Sequence, residues 1–286
     1  MIRRLSLTAL FLFTCGARLA VADSCQMTSI SPVVFGSYTG TSVRAVSTIT
    51  FQCTGGSAYS IGLSAGTSGS VTSRSMNGSG ATLGYSLFSD AAYSFNWGNT
   101  SGTGWVTGTA ATSGAQTVNI YAQLPAGENS TAGSYTDTIT ATLSGSFASS
   151  TLQFNVSATV VKTCQLSTTS MAFGAYSGSL VYSTATISAT CTNGTAYNVG
   201  LDAGTATGAT VTSRRMTGPS SALLAYSLFS NSARSINWGN TIGTDTLSGT
   251  GTGVTQSLTV YGQIPAMQTG VVAGSYNDTV TVTLTY

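Results

Sequence analysis

The 286-residue chain carries only 6% charged residues and no histidine, so the usual general base and the usual metal ligand are both missing. Nine Lys and Arg stand against seven Asp and Glu, and the balance becomes six against seven if Arg3, Arg4 and Arg18 leave with a leader, so no basic surface for nucleic acid or anionic lipid is expected. Thirteen Tyr, ten Phe and alternating runs of Val, Ile and Thr argue for sheet rather than for disorder, despite the abundance of Gly, Ser and Thr.

The first element is an address. Arg3 and Arg4 precede an apolar run from Leu5 to Cys15, and Ala20-Val21-Ala22 fits an A-x-A cleavage site. The run is shorter than the roughly 20 residues a helix needs to cross a bilayer. Residues 1–22 are therefore expected to be a signal peptide, the mature chain to begin at Asp23, and no later segment to span a membrane.

Beyond the leader, strand signals come at regular spacing with Gly-rich turns between them. Val43 to Cys53, Tyr59 to Leu63, Leu83 to Phe88, Thr117 to Leu124 and Thr138 to Leu143 alternate apolar and polar residues and are predicted strands. After the turn at Gly145–Ser149 comes a further run, Thr151 to Val160, in which Leu152, Phe154, Val156, Ala158 and Val160 share one face.

The pattern then starts again. Cys25-Gln26 recurs as Cys164-Gln165, Phe35-Gly36-Ser37-Tyr38 as Phe173-Gly174-Ala175-Tyr176, and Cys53-Thr54 as Cys191-Thr192. Tyr85-Ser86-Leu87-Phe88 returns as Tyr226-Ser227-Leu228-Phe229, and Asn96-Trp97-Gly98-Asn99 as Asn237-Trp238-Gly239-Asn240. Tyr121-Ala122-Gln123-Leu124-Pro125 matches Tyr261-Gly262-Gln263-Ile264-Pro265, and Gly133-Ser134-Tyr135 matches Gly274-Ser275-Tyr276. So long a period means two domains rather than a solenoid. The expected fold is all-β, two tandem immunoglobulin-like sandwiches of about seven strands each, over 23–161 and 162–286.

Cys15 falls in the leader, and the other four cysteines lie two per copy at matching positions. In an oxidising compartment the economical pairing is Cys25–Cys53 and Cys164–Cys191. Zinc is a poor reading of them, with no His and the wrong spacing. No catalytic residue, metal or cofactor is expected, since the few acids are mostly in turns and no base accompanies the many Ser and Thr. Two charged positions recur, Arg74 with Arg214 and Asp137 with Asp278. They suit either a ligand-binding pair or a structural contact beside the tyrosine-corner-like Tyr135 and Tyr276. Trp97 and Trp238 suit the core.

Together the paired Cys, F-G-x-Y, S-R-x-M, Y-S-L-F, N-W-G-N, Y-[AG]-Q-[LI]-P and G-S-Y-x-D-T segments resemble the spore coat protein U domain family, which includes subunits of archaic (Csu-type) chaperone–usher pili. The resemblance covers both copies. It implies pilin-like sandwiches missing a last strand, assembled by donor-strand exchange through a periplasmic chaperone and an outer-membrane usher.

The copies differ at their ends. The Leu152–Val160 run looks like a strand that completes copy one from within the chain. Copy two ends on a predicted strand, Thr279 to Tyr286, whose Val280, Val282, Leu284 and Tyr286 would edge an open groove. Such edges call for strand addition by another protein. With only Asp23 and Ser24 ahead of Cys25, the mature chain is expected to accept a donor strand but not to give one. The resemblance makes such a subunit a tip adhesin, secreted through the periplasm to the cell surface and mediating attachment to abiotic or host surfaces and biofilm formation. Its binding end would be formed by the loops Thr54–Ala58, Ala91–Gln116 and Gly145–Ser150, where Tyr93, Phe95, Trp105, Val106 and Phe147 would make an apolar tip. The alternative is a secreted coat or matrix protein outside any pilus.

Overall fold

The computed structural model describes residues 24–100 and 104–286. The expected leader and Asp23 lie outside them. Among the described residues no helix is long and apolar enough to cross a membrane.

Among the described residues the first repeat contains ten strands. They are β1 (Ser24–Ile30), β2 (Val33–Tyr38), β3 (Val43–Thr54), β4 (Ala58–Leu63), β5 (Arg74–Gly78), β6 (Ala81–Phe88), β7 (Val106–Thr109), β8 (Ala115–Leu124), β9 (Gly133–Gly145) and β10 (Ser150–Val160). They hydrogen-bond in the order β1-β3-β8-β6-β5-β9-β10-β2, with β4 pairing both β7 and β9. The strand number exceeds the expected seven because short pieces, β5 and β7, join the frame, and because the first strand is divided. β1 pairs with β3, then β2 crosses over to pair with β10. Gly36, in the left-handed region at φ +73°, sits where the β2–β10 register shifts, a bulge that a side chain would strain.

Period-two patterning fills one core. Ile49, Phe51, Leu87, Ile120 and Leu124 point in from one layer, and Ile61, Leu63, Ile139, Ala141 and Leu143 from the other, all without exposed surface. The tyrosine corner is present in both repeats. Tyr135 donates its hydroxyl to the Thr131 carbonyl at 2.7 Å, and Tyr276 to that of Val272 at 2.9 Å.

The second repeat contains β11 (Cys164–Thr168), β12 (Val181–Cys191), β13 (Ala196–Leu201), β14 (Arg214–Thr217), β15 (Leu223–Phe229), β16 (Leu247–Thr250), β17 (Gln256–Ile264) and β18 (Val282–Thr285). They form two sheets, β11-β12-β17-β15-β14 and β16-β13-β18. The expected strand Thr279 to Tyr286 is thus only four residues long, while its counterpart β9 runs for thirteen. The reason is the neighbour. β9 pairs with β10 from Gly133 to Leu143, whereas among the described residues the corresponding edge in the second repeat has no strand beside it. Residues 171–176, matching β2, likewise form no strand.

Both disulfides link register partners on adjacent strands, Cys25 to Cys53 and Cys164 to Cys191.

Candidate functional site

In the first repeat β10 lies between β9, antiparallel to it, and β2, parallel to it. Phe154, Val156, Ala158 and Val160 are buried and Leu152 half-buried, while the residues between them face outward. The register sets what each position meets. Phe154 stands opposite Ile139 and Val156 opposite Asp137. Ala158 stands between Tyr135 on one strand and Gly36 on the other, the one place in the row with a small side chain.

In the second repeat the same place is a groove. Two adjoining cavities of about 500 and 860 Å³ run along it and share Met171, Phe173, Met216, Tyr276 and Asn277. The contrast with the first repeat is residue by residue. Val33, Phe35, Met76, Tyr135, Ile139 and Ala141 are buried, but Met171, Phe173, Met216, Tyr276, Val280 and Val282 at the matching positions are only half-buried. Of the expected edge residues, Val280 and Val282 line the groove, and Leu284 packs half-buried against the core. Tyr286 is 57% exposed and outside the groove lining. A row of apolar side chains flanked by backbone without strand partners is a physical template for one more strand.

The recurrent charges are structural. Arg74 is buried and spends its guanidinium on four carbonyls, those of Leu63, Ser64, Val71 and Trp97, at 2.7–3.0 Å. Arg214 does the same with Leu201, Asp202, Val211 and Trp238. Burial pulls the Arg74 guanidinium down to about 10, which leaves it charged at neutral pH. Asp137 accepts from the Tyr85 hydroxyl at 2.7 Å and from the Thr67 and Thr138 amides. Burial first, then this bond, pushes the Tyr85 hydroxyl far above its ordinary value. Asp278 and Tyr226 repeat the pair at 2.7 Å, at the edge of the groove. These groups tie loops to strands, and their donors and acceptors are used within the protein. Trp97 and Trp238 are core residues, each donating its indole N–H to a strand carbonyl at 2.8 Å.

The five residues expected at an apolar tip are dispersed. Phe95 is 70% exposed. Tyr93, in contrast, is half-buried on the outer face of β6 and β8, with ring centres of Phe88 and Tyr121 at 5.7 and 6.0 Å. Trp105 is half-buried over Gly62 of β4, where any side chain would strike the indole. Phe147 lies over Gly145 in the same way, and it and Val106 pack against the core. Glycines at 62 and 145 leave hollows on the outer surface, and the rings fill them. Tyr93 and Trp105 therefore cover opposite layers of the sandwich rather than meeting at one end. Arg234 stands at the Tyr93 position of the second repeat and packs there against Tyr182, ring centre to guanidinium 4.0 Å.

Two parts of the groove escaped sequence reading. Phe173 and Tyr176 belong to a recurring segment that was legible, but Gly174 in its middle signals a turn rather than a strand edge. Met171 has no counterpart methionine, since Val33 stands at its place in the first copy, and Met216 recurs as the methionine of S-R-x-M, a motif that does not mark it as groove lining.

The family model of the Spore Coat Protein U domain matches residues 11–142 and 150–283. No curated protein matches the sequence. Among solved structures, the chain is similar to one from the CsuC–CsuE chaperone–tip adhesion subunit pre-assembly complex of the archaic chaperone-usher Csu pili of Acinetobacter baumannii. They share 17% identity over 92% of this chain and 100% of that one, with a TM-score of 0.54. The CupB6 tip adhesin of Pseudomonas aeruginosa matches at 10% identity over 92% and 93% of the two chains, with a TM-score of 0.37.

Proposed function

The chain belongs to the spore coat protein U domain family, and from that premise we propose that it is a secreted adhesive subunit at the tip of a chaperone–usher pilus. The observation that carries this reading is the groove of the second repeat, which occupies the position that β10 fills in the first. In this reading the chain has two units, 23–161 and 162–286. The first is completed by its own Leu152–Val160 strand. The second is capped in the periplasm by a chaperone strand, which gives way at the outer-membrane usher to the leading strand of the next subunit. Both ligands follow from the same chemistry, an extended segment with alternating apolar side chains laid beside Val280–Leu284.

Tip placement is supported by the fold likeness to a chaperone–tip adhesion subunit complex. It is supported too by β10, which is engaged inside its own repeat and so is not free to fill a neighbour. Attachment to a surface, and through it biofilm formation, then falls to the first repeat, with Phe95 as its exposed ring.

The test is stability of the purified full chain with and without a groove ligand. A synthetic peptide of residues 150–161, which repeats the alternation of β10, should raise the melting temperature of the second repeat and suppress aggregation. Co-expression with the chaperone should do the same. A monomer equally stable without either, and unchanged by the peptide, would remove the reading.

A further inference from the structure

The joint between the repeats is itself a docked interface. The loop after β8 in the first repeat meets the second repeat through Asn129, whose amide donates to the Thr252 carbonyl at 3.0 Å. Asn193 returns a bond to the Asn129 carbonyl at 3.2 Å. Thr131 packs against Gly194, and β10 leaves through this joint into β11. The first repeat therefore shows how a sandwich looks when the strand in its groove runs straight on into a second sandwich.

The second repeat presents the same end, uncovered. The loop after β17 corresponds to the loop after β8, and its composition changes from polar to apolar. Thr131, whose carbonyl accepts the tyrosine-corner bond, is replaced by Val272, 47% exposed. Ser42 is replaced by Leu180, 45% exposed. Gly127, at φ +82°, is replaced by Met267 at φ +58°, and both donate their amides to a matching carbonyl, Gly40 or Gly178. A left-handed conformation suits glycine and strains a long side chain. Met267 adopts it and is 86% exposed, next in the chain to Gln268, which lines the groove. Local strain of this kind persists at positions that do something.

We infer that Leu180, Met267 and Val272 form the docking surface for the body of the following subunit, a sandwich of this same family. Its leading strand fills the groove and its body closes on this end, as the second repeat closes on the first. The inference rests on the groove reading above but adds a second, separate contact. This joint is apolar where the joint inside the chain is built on asparagine bonds, so it forms by removing a methionine and two aliphatic side chains from water.

The methionines supply the measurement. Met171 and Met216 lie in the groove, Met267 stands exposed beside the groove-lining Gln268, and Met76 is fully buried as an internal reference. Peroxide converts an accessible Met to the sulfoxide, with water as the other product, and peptide mass spectrometry reads each site. Rates are compared in the full chain alone, in the full chain with the 150–161 peptide, and in fibres sheared from cells. The peptide should slow Met171 and Met216 and leave Met267 as reactive as in the free chain. In fibres all three should slow to the rate of Met76. Fibres that protect Met171 and Met216 but leave Met267 reactive would overturn the docking surface while the groove reading stands. Protection of Met267 by the peptide alone would also overturn it, since no body is then needed. Fibres lacking the chain, or leaving Met171 and Met216 reactive, would remove both readings.

Discussion

The guanidinium of Arg44 lies 4.1 Å from the centre of the Tyr93 ring, and the second repeat holds the same pair with its members exchanged. There Arg234 stands at the position of Tyr93 and Tyr182 at that of Arg44. Residues 93 and 234 also share a left-handed backbone, φ +58° and +53°. What the fold keeps is a ring and a cation stacked across a turn and the neighbouring strand, and either end can supply either partner.

An exchange experiment follows. Tyr93→Arg alone sets two guanidinium groups side by side, and Arg44→Tyr alone removes the cation. Each should destabilise the first repeat by about 1 kcal/mol, the size of a partly exposed cation–π contact. The double exchange recreates the second repeat's arrangement and should recover most of that loss. Calorimetry of the full chain reads all three. Additive losses in the double variant would mean the two residues do not act as a pair.

This pair also shows where sequence reading stops. Repeats, cysteine pairing and the Leu152–Val160 alternation are local or periodic signals, and they were legible. The stacking of Tyr93 on Arg44, and of Trp105 over Gly62, joins loop residues to strand residues 49 and 43 positions away. No spacing rule marks such partners, so large aromatics in Gly-rich loops read as a free tip. The length of β18 was illegible for the same reason. Val280 and Val282 alternate as well as Ile139 and Ala141 do, but hydrogen bonds from a neighbouring strand decide whether they lie in a ladder.

The buried tyrosines set an alkaline limit. Tyr85 and Tyr226 stay protonated in the folded chain well past 10.0, their ordinary value, because burial and the bonds to Asp137 and Asp278 oppose ionisation. An unfolded chain releases those protons near pH 10, so it binds fewer protons than the folded one above that point. Stability is therefore fully present below pH 10 and falls above it, by about 1.4 kcal/mol per pH unit for each such tyrosine. Tyr38 and Tyr59, also raised by burial, add in the same direction. Urea unfolding between pH 9 and 11 should show the decline, and Tyr85→Phe should make it shallower. An unchanged slope in that variant would mean Tyr85 ionises freely in the folded state.

Completion of the first repeat from within the chain can be tested at its centre. Val156 is fully buried and stands opposite Asp137. Val156→Asp places a second carboxylate against the first in a buried site, which costs several kcal/mol. Val156→Thr keeps the shape and adds one hydroxyl, so it should cost far less. The aspartate variant should lose the cooperative transition of the first repeat while the disulfide Cys25–Cys53 still forms. A normal transition would mean that β10 is a linker lying on the sandwich rather than part of it.

The groove of the second repeat should discriminate among strands at one position above all. Ala158 is flanked by Tyr135 and Gly36 in the first repeat, and the second repeat offers Tyr276 and Gly174 at the same points. Gly174 repeats the left-handed bulge of Gly36, φ +75° against +73°, so an incoming strand meets the same bend in its neighbour. The Tyr276 hydroxyl is already committed to the Val272 backbone, both donating to its carbonyl and accepting from its amide. The ring is thereby held in place and has little freedom to make room. A peptide of residues 150–161 should bind the full chain in trans, and its Ala158→Leu form should bind about 5- to 150-fold more weakly, the cost of overpacking a well-filled site. Phe154→Leu in the same peptide faces Val280, a smaller residue than the Ile139 it meets in the first repeat, and should be tolerated. Fluorescence anisotropy of labelled peptides gives the three affinities. Equal binding of the Ala158→Leu peptide would mean that the incoming strand takes a different register from β10, and the correspondence between the two repeats would not extend to the ligand.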